Sequence, residues 1–333
     1  MLKESALQQL RGKKNLLAFS AGGDSTALFF LLTHANIPFD IAIVDYGIRE
    51  QSKEELLYAQ ELARKYNCTC HNFKASKITT NFEAQAREIR YTFFHALVVE
   101  FSYENILTAH HLGDRFEWML MQFCKGAGAI ELAGMQEIQK EDNYTLLRPL
   151  LHIPKEQLLA YLHTNSITYF EDETNLDESI KRNYFRHTYA KPLLQKYSNG
   201  IQKSFQYLDE DKNILTQNIT LTTWNSFAYF LTSSQARANI YTIDKYLKKN
   251  LHMLSFAQRE VLKEEKTVVI GRKFLICTID KYTTITPYIK TQKSMDKEFK
   301  EECRKLKIEP KIRPFLEENK TIFFKLKELL NYR

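Results

Sequence analysis

The first 110 residues alternate between short apolar runs and longer segments with helical spacing. Four runs have the length and composition of buried strands: 15–20, 38–45, 68–73 and 105–109. Apolar residues recur three and four positions apart in the segments that separate them: 24–34, 52–66 and 82–101. Asn81 is predicted to cap the third of these helices. This alternation predicts a parallel sheet with helices on both faces, with ligands binding beyond the carboxyl ends of its strands.

Beyond residue 194 the pattern changes. Residues 196–216 are polar and poor in glycine, which predicts a helical linker after a first domain over 1–195. A domain over 217–290 is predicted to hold helices, then two strands at 267–270 and 274–279. A basic helical tail over 291–333 follows. The predicted fold class is therefore α/β, with an N-terminal parallel sheet and a smaller, mostly helical α+β C-terminal region.

Composition narrows the classes of partner and compartment. Of the 333 residues, 44% are hydrophobic, which supports folded cores. The formal net charge of +7 favours a polyanionic partner. Five cysteines without a framework spacing indicate a reducing compartment. No apolar run reaches the roughly 20 residues of a membrane span, and no signal-peptide core is present. We therefore expect a cytoplasmic protein with no membrane partner.

The stretch that follows the first predicted strand has the composition of a phosphate-binding loop. It reads Ser20-Ala21-Gly22-Gly23-Asp24-Ser25 and leads directly into a helix. Backbone N–H groups of such a loop, with a helix N-terminus behind them, form a concave site for anionic oxygens, and Asp24 is placed to meet a magnesium ion. The common P-loop ends in Gly-Lys-Ser/Thr, which this stretch lacks. The alternative is an ordinary strand-to-helix turn rich in small residues.

A second polar cluster, residues 110–117, follows the fourth predicted strand. Asp114 and Glu117 are three residues apart and share one face of a helix, as a pair of magnesium ligands would. The alternative is that Asp114 caps the helix and Glu117 completes a pattern like a capping box. His110 and His111 have no third ligand at a zinc spacing.

Three further groups of residues contain arginines at regularly spaced or exposed positions. Four residues lie along one predicted helical face: Glu83, Arg87, Arg90 and Tyr91. Arg182 and Arg186 are one helical turn apart and could grip phosphates. Arg148 is expected to be exposed beside Pro149, which fixes a turn. For each group the alternative is a solvated or salt-bridged surface.

From the first strand to about residue 194, the chain resembles the tRNA(Ile)-lysidine synthases, which are N-type ATP pyrophosphatases of the PP-loop superfamily. Six motifs of that family occur here in order. They are matched at 20–25, at 45–49, at 83–91, at His110, His111, Asp114 and Glu117, at Arg148-Pro149-Leu150, and at Asp172, Thr174, Asn175, Arg182, Asn183 and Arg186. The helix followed by a hairpin downstream is similar to the family's first C-terminal domain.

Several positions depart from the family pattern. Ala21 replaces a glycine, which is tolerable only if that residue keeps φ below zero. Gly113 stands where the family has an aspartate and removes one carboxylate. Tyr46 replaces a histidine, Arg115 replaces a glutamine and Trp118 replaces a threonine.

The resemblance implies a ligase that uses ATP and Mg²⁺. It implies that C2 of the wobble cytidine in the CAU anticodon of tRNA(Ile) is adenylated and then joined to L-lysine, with release of AMP and pyrophosphate. The implied ATP site is Ser20, Ala21, Gly22, Gly23, Asp24 and Ser25, and the implied catalytic residues are Asp24, Arg87, Asp114 and Glu117. Asp24 and Asp114 would hold the metal, and Arg182 and Arg186 would contact tRNA. Many relatives pair, so a homodimer is one state that the resemblance allows.

Two other functions stay open on the sequence. A PP-loop enzyme could thiolate tRNA, although the paired Cys-x-x-Cys cysteines of such an enzyme are absent from this sequence. A catalytically idle RNA-binding protein could keep the fold, and the changes at Ala21 and Gly113 are its only support.

Overall fold

The computed structural model describes residues 1–47, 51–76, 78, 80–171, 177, 179–216, 219–290 and 295–331, with backbone alone at 331. The chain divides into two compact units, Met1–Glu210 and Asp211–Arg333. The division lies inside the segment predicted as a linker. Among the described residues, no helix is both long enough and apolar enough to cross a bilayer.

The first unit is built on a six-stranded sheet. Its strands are β1 (Asn15–Ala18), β2 (Asp40–Asp45), β3 (Cys70–Lys74), β4 (Asn105–Leu107), β5 (Ile138–Lys140) and β6 (Thr145–Leu147). They lie in the order β3-β2-β1-β4-β6-β5, and all pairs are parallel except β5 with β6. The strand order reverses between β1 and β4. In open α/β sheets the ligand crevice lies at such a reversal, beyond the carboxyl ends of the strands.

Helices cover both faces of this sheet. They are α1 (Glu4–Leu10), α2 (Gly23–His34), α3 (Gln51–Lys65), α4 (Phe82–Phe101), α5 (Leu112–Phe123), α6 (Ala129–Ala133), α7 (Lys155–Thr164), α8 (Lys181–Phe185) and α9 (Lys191–Thr216), with a π-helix at Arg186–Ala190 between α8 and α9. Successive strand residues point to opposite faces. Leu17 and Leu107 therefore join the core with α2, while Leu16 and Ile106 join the core with α4. The predicted parallel sheet with helices on both faces is confirmed.

Two local predictions in this unit are wrong. Asn81 has φ 45° and ψ 52°, and its side chain makes no capping hydrogen bond to α4. A capping side chain needs an extended backbone in order to reach the first free N–H groups, and a left-handed residue does not provide it. Arg148, expected to be exposed, is buried, and one of its NH groups donates to the carbonyl of Gln136 at 2.8 Å.

The second unit contains a five-stranded antiparallel sheet. Its strands are β7 (Thr222–Trp224), β8 (Phe227–Leu231), β9 (Thr267–Ile270), β10 (Phe274–Ile279) and β11 (Tyr282–Pro287), in the order β7-β8-β11-β10-β9. Its helices are α10 (Ala236–Lys249), α11 (Phe256–Glu264), α12 (Lys297–Lys305), α13 (Arg313–Glu318) and α14 (Lys320–Asn331). The sequence predicted β9 and β10 but not the other three strands. Helices and an antiparallel sheet together confirm the predicted α+β region.

The basic tail supplies part of the core of this unit. Phe315 and Phe323 are buried and pack with Leu275 and Phe227 of the sheet. The tail interleaves lysines and arginines with aromatic residues, a pattern that suits a pair of amphipathic helices as well as a surface for an RNA backbone. Phe315 and Phe323 therefore belong to the apolar sides of amphipathic helices, because their rings are buried in the core.

Candidate active site

A cavity of about 460 Å³ opens in the first unit at the reversal between β1 and β4. The loop after β1 lines it with Ser20, Gly22, Asp24 and Ser25. The segment after β4, the helices α3 and α4, the strand β2 with Tyr46, and Phe170 line the rest, so side chains that are far apart in sequence share one space. Its volume is in the range of pockets that hold small ligands.

Ser25 holds the loop after β1 in shape. Its Oγ accepts a hydrogen bond from the Ser20 N–H at 3.2 Å and donates to the Gly22 carbonyl at 3.0 Å. The two hydroxyls of Ser20 and Ser25 are 3.1 Å apart. The loop is therefore closed by its own side chains. The first N–H groups of α2, which have no intrahelical acceptor, remain available for an anion.

Ala21 adopts the left-handed conformation that the sequence was expected to avoid. Its φ is +59°, so the condition on which alanine was expected to be tolerated here, a φ below zero, is not met. The conformation costs an L-residue on the order of 1 kcal/mol relative to glycine. The Ala21 carbonyl accepts from the Thr26 hydroxyl at 3.2 Å and from the Phe170 N–H at 3.0 Å, and the methyl group is fully buried. These contacts offset the backbone strain.

Asp24 has one carboxylate oxygen without a partner. Oδ1 is buried and has no hydrogen bond to any residue that the structure describes. Oδ2 lies 3.6 Å from Nζ of Lys155 and 3.6 Å from Nε2 of His111. Burying an unsatisfied carboxylate oxygen is costly, so this arrangement suits a cation supplied from outside the chain. No local pattern in the sequence singles out Lys155, the first residue of α7.

His111 caps α5, and Asp114 completes the cap. The Gly113 N–H donates to Nδ1 of His111 at 3.0 Å, and the His111 N–H donates to Oδ2 of Asp114, also at 3.0 Å. The capping alternative is therefore revised, because the histidine caps the helix and Glu117 takes no part. His111 also lies between two carboxylates, since its Nε2 is 3.6 Å from Asp24 and 3.6 Å from Asp114.

Asp114 and Glu117 form a cluster of ion pairs with Arg182 and Arg186. An NH group of Arg182 donates to Asp114 at 2.7 Å, and its Nε donates to Glu117 at 3.0 Å. Nε of Arg186 donates to Glu117 at 2.6 Å. We call these four residues the carboxylate–arginine cluster. The sequence predicted tRNA contacts for the arginines, and in this structure they hold the two carboxylates.

Electrostatics keeps the carboxylate–arginine cluster charged. Burial alone would raise the pKa of Asp114, but the neighbouring His111 and Arg182 hold it well below its usual range. Arg182 lies between the two carboxylates, which together raise its pKa against the effect of burial. Each charge is stabilised by its partners, so removing one member leaves the others uncompensated.

The α4 wall of the cavity carries cations and rings. The guanidinium of Arg87 lies 4.7 Å from the ring centre of Tyr91, and both residues line the cavity. Nε of Arg90 donates to the Tyr46 hydroxyl at 3.3 Å, and that hydroxyl donates to the Ala86 carbonyl at 3.0 Å. One wall of the cavity is therefore lined by three residues of the helical face predicted from sequence: Arg87, Arg90 and Tyr91.

His110, in the segment after β4, lines the same cavity as a neutral imidazole. Burial lowers its pKa to about 4, the nearby Arg148 and Arg182 act in the same direction, and Asp114 opposes them. Its Nδ1 lies 2.9 Å from the Thr108 hydroxyl. At neutral pH the ring therefore carries no charge.

The comparisons with known proteins assign the chain to a family. A PP-loop domain family matches residues 2–193. A tRNA(Ile)-lysidine synthase from Helicobacter pylori is 42% identical over 311 residues, which are 93% of this chain and 91% of that protein. One from Campylobacter jejuni is 39% identical over 320 residues, 96% and 97% of the two chains.

The chain belongs to the tRNA(Ile)-lysidine synthase family. The predicted family and the predicted class of enzyme are confirmed, and PP-loop membership implies the use of ATP. Among solved structures, a U34-tRNA thiolase from Methanococcus maripaludis has a TM-score of 0.50 and 16% identity, covering 62% of this chain and 77% of that one. At that identity the likeness shows the fold alone.

Structural reasons account for two departures from the pattern of the lysidine synthase family. A Cβ at Gly113 would lie 2.7 Å from Cε1 of His111, so an aspartate there would require the capping ring of His111 to shift. Arg115 is fully buried and donates to Asp209 at 2.5 and 3.0 Å, with its guanidinium 4.3 Å from the ring centre of Phe205. Arg115 therefore links α5 to α9 through Asp209 and Phe205.

Some residues that the lysidine synthase motifs match lie elsewhere. Asp45 does not line the cavity. Its carboxylate accepts the Gly47 N–H at 2.7 Å, and Tyr46 is the residue of this motif that lines the wall. Residues 48–49 of that motif, and Asp172, Thr174 and Asn175, lie outside the described residues.

Proposed function

We propose that this protein uses ATP to join L-lysine to C2 of the wobble cytidine of tRNA(Ile) with a CAU anticodon, releasing AMP and pyrophosphate. One observation carries the proposal. In a chain of the lysidine synthase family, a loop shaped for phosphates, the unpartnered oxygen of Asp24 and the carboxylate–arginine cluster occur together at one cavity.

The loop after β1 is the proposed cradle for the β- and γ-phosphates of ATP. Ser25 fixes the loop, and the backbone N–H groups at the start of α2 present partial positive charge to an anion. Gly23 allows α2 to pack closely, because a Cβ there would lie 3.3 Å from both Leu159 and Tyr169. These donors are fixed before substrate arrives, which favours departure of a highly charged group.

The residues present fit a magnesium ion that arrives with the nucleotide. Mg²⁺ is commonly held by one or two carboxylates together with substrate phosphates, and Asp24 offers a buried oxygen without a partner. Both oxygens of Asp114, the other predicted ligand, already accept hydrogen bonds from His111 and Arg182. Among the described residues no group of three or more potential ligands is present. We therefore propose Asp24 as the main protein ligand. When bound, the ion neutralises charge on the phosphates.

The first proposed step is attack by the C2 carbonyl oxygen of cytidine on the α-phosphorus of ATP. A bond forms between that oxygen and phosphorus, and the bond to the pyrophosphate oxygen breaks. Negative charge grows on the departing pyrophosphate, so donors already in place stabilise the transition state more than the ground state. The loop supplies backbone donors, and Arg87 on the opposite wall supplies a cation.

The second proposed step is attack by the lysine ε-amine on C2. The new C–N bond forms, and AMP leaves with the oxygen that had been the carbonyl oxygen of C2. An ammonium must lose its proton before it can attack, and its ordinary pKa is about 10.4. Three groups are the candidate acceptors: Asp114 and His110, which line the cavity, and Glu117, which shares Arg182 with Asp114. The carboxylates would also attract the incoming ammonium.

The test is release of AMP in the presence of ATP, lysine and an anticodon-CAU tRNA(Ile) transcript. We expect AMP and pyrophosphate in equal amounts, with AMP release dependent on lysine and one lysine attached per tRNA. The same tRNA with a UAU anticodon is the control, because it has no wobble cytidine. AMP release that needs a sulfur donor in place of lysine would indicate thiolation. RNA binding without AMP release would indicate an idle protein, and either result would overturn the proposal.

A further inference from the structure

Exposed aromatic rings stand on the outer side of the segment whose arginines hold the active-site carboxylates. Tyr184 is 42% exposed and Tyr189 is 43% exposed, whereas Arg182 and Arg186 of the same segment reach inward to Glu117. Tyrosine is an amphipathic side chain that often lies at binding surfaces when it is exposed in a cluster. The rings have no role in the chemistry proposed above.

These rings form one ordered group. The ring centres of Tyr184 and Tyr189 are 5.8 Å apart at 86°, and those of Phe185 and Tyr189 are 5.4 Å apart at 56°. The hydroxyls of Tyr184 and Tyr189 are 3.4 Å apart. We call these three residues the tyrosine platform. Their mutual contacts fix the orientation of the rings, so little side-chain entropy is left to lose when a ligand binds.

The π-helix at Arg186–Ala190 places the rings together. In an α-helix, residues five apart point in clearly different directions, because the repeat is 3.6 residues per turn. A π-helix closes its hydrogen bonds from residue i to residue i+5 and so brings such residues to the same side. Tyr189 lies inside the π-helix, and Tyr184, five residues earlier, lies in α8 just before it. The wider turn between them favours placing both rings on one surface.

The segment that carries the tyrosine platform has charge of one sign. Residues 179–208 contain no aspartate or glutamate. Besides Arg182 and Arg186, which pair with Asp114 and Glu117, they carry four cations: Lys181, Lys191, Lys196 and Lys203. Nζ of Lys181 lies 6.0 Å from the ring centre of Phe185. Exposed rings with interspersed cations complement a nucleic-acid strand whose bases are unpaired, since the bases stack on rings while the phosphates meet the cations.

The segment that carries the platform also contacts the cavity lining. Arg182 lies two residues before Tyr184, and it donates to Asp114, which lines the cavity. A nucleotide whose base enters the cavity has neighbours along the strand that stay outside it, where such a segment can meet them. The charge and the position together indicate which part of the substrate reaches this surface.

We propose that the tyrosine platform stacks unpaired bases that flank the reactive cytidine in the anticodon loop. The inference rests on the proposed function and goes beyond it, because it assigns a binding surface to residues outside the chemistry. Tyr184 and Tyr189 provide the ring faces, and Lys181 and Lys191 meet the phosphates on either side. The platform holds the loop while the cytidine is turned into the cavity.

The test measures binding of a 17-nucleotide anticodon stem-loop RNA to the full chain by filter retention. The double variant Tyr184→Ala/Tyr189→Ala should bind about 10- to 100-fold more weakly, which is the usual effect of losing base stacking. The variant Tyr184→Phe/Tyr189→Phe keeps the rings and should bind within about twofold of the unaltered protein. A paired RNA duplex of equal charge should bind all three proteins alike, because its bases are not available for stacking.

A second variant covers the case in which the alanine protein fails to fold. Tyr184→Leu/Tyr189→Leu keeps the apolar contacts but removes the rings, and it should show the same loss of affinity. A 2-aminopurine placed beside the wobble position should be quenched on the unaltered protein and not on the leucine variant. Phe73→Ala, which removes an exposed ring elsewhere in the first unit, is the control and should change neither readout.

The possible outcomes separate this inference from the proposed function. If the unaltered protein attaches lysine but the leucine variant binds the stem-loop equally well, the platform inference is wrong and the proposed function stands. If the variants lose affinity but the unaltered protein attaches no lysine, the platform stands and the proposed function is wrong. Equal loss of affinity for the stem-loop and for the duplex would also overturn stacking as the mode of binding.

Discussion

Nε of Arg186 donates a 2.6 Å hydrogen bond to the carboxylate of Glu117, a side chain that is only 2% exposed. Arg182 donates to the same carboxylate from the adjacent turn. A buried carboxylate is stable in its charged form only when cations and donors surround it. The position of α8 and of the π-helix beside the cavity therefore depends on Glu117.

Replacing Glu117 with glutamine should destabilise the first unit. The amide keeps the shape but leaves Arg182 and Arg186 with one carboxylate between them in place of two. Breaking a buried ion pair from one side costs about 3–5 kcal/mol, so we expect the free energy of unfolding to fall by about 3 kcal/mol. Urea unfolding followed by circular dichroism measures this change.

A surface ion pair provides the matched control for Glu117. Glu301 lies 3.2 Å from Arg304, and both side chains are more than half exposed. Glu301→Gln should leave the urea midpoint unchanged within error, because exposed pairs contribute little. Equal midpoints for Glu117→Gln and Glu301→Gln would show that the carboxylate–arginine cluster does not support the fold.

Replacing Asp24 with asparagine should abolish adenylation while tRNA retention stays. The change removes the charge of a carboxylate whose buried Oδ1 has no partner, and it leaves the shape of the loop intact. We expect AMP release to fall by at least about 100-fold, the scale on which loss of a single electrostatic contact slows catalysis. Filter retention of tRNA should change by less than about twofold. Adenylation at the normal rate would remove Asp24 from the site.

Ala21 tests the balance between backbone strain and burial. Ala21→Gly relieves the cost of φ +59°, about 1 kcal/mol, but loses a buried methyl group worth about 0.8 kcal/mol. We expect the free energy of unfolding to change by less than about 1 kcal/mol. Ala21→Val adds a β-branched side chain in the left-handed region and should destabilise by about 2 kcal/mol or more. If valine were tolerated as well as glycine, the left-handed loop would be wrong.

The stability of the first unit should fall on mild acidification, in part because of His152. Burial, and then the charge of Lys3, lowers its pKa to about 4, against about 6.5 in an unfolded chain. Between those values the unfolded state binds a proton that the folded state does not, so stability is lost as the pH falls from 6.5 towards 4. His152→Asn should reduce the slope of unfolding free energy against pH by up to about 1.4 kcal/mol per pH unit.

The exposed His163 is the control for this slope. His163→Asn makes the same change of residue type at an exposed position of the same unit, so it separates the effect of the substitution from the effect of the buried site. A slope that His152→Asn does not alter would show that the imidazole of His152 is protonated in the folded protein over this range.

The periodic part of the fold could be predicted from the sequence, and the irregular part could not. Strands β1, β2 and β4 are short apolar runs between helices, so their pattern and their parallel pairing follow from local composition. Strand β11 reads Tyr-Thr-Thr-Ile-Thr-Pro and is rich in threonine, so its apolar signal is weak. Its buried threonines are recognised only when the neighbouring strands are in place.

The candidate site shows the same division. The loop at 20–25 and the spacing of Asp114 and Glu117 are local patterns, and both were identified. The partners of the two carboxylates could not be identified from the sequence, because Arg182 and Arg186 lie more than 60 residues away from them in the chain. The positive φ of Ala21 is stabilised by contacts of its carbonyl with Thr26 and Phe170. An alanine in the sequence does not signal a positive φ.

Mass analysis of the wobble nucleotide tests the central claim most directly. The full chain is incubated with ATP, lysine and an unmodified anticodon-CAU tRNA(Ile), and the RNA is then digested to nucleosides. The account predicts that the wobble cytidine is converted into a nucleoside carrying one lysine, and that the Asp24→Asn protein leaves it as cytidine. An unmodified cytidine with the unaltered protein, or a sulfur-containing one, would contradict it.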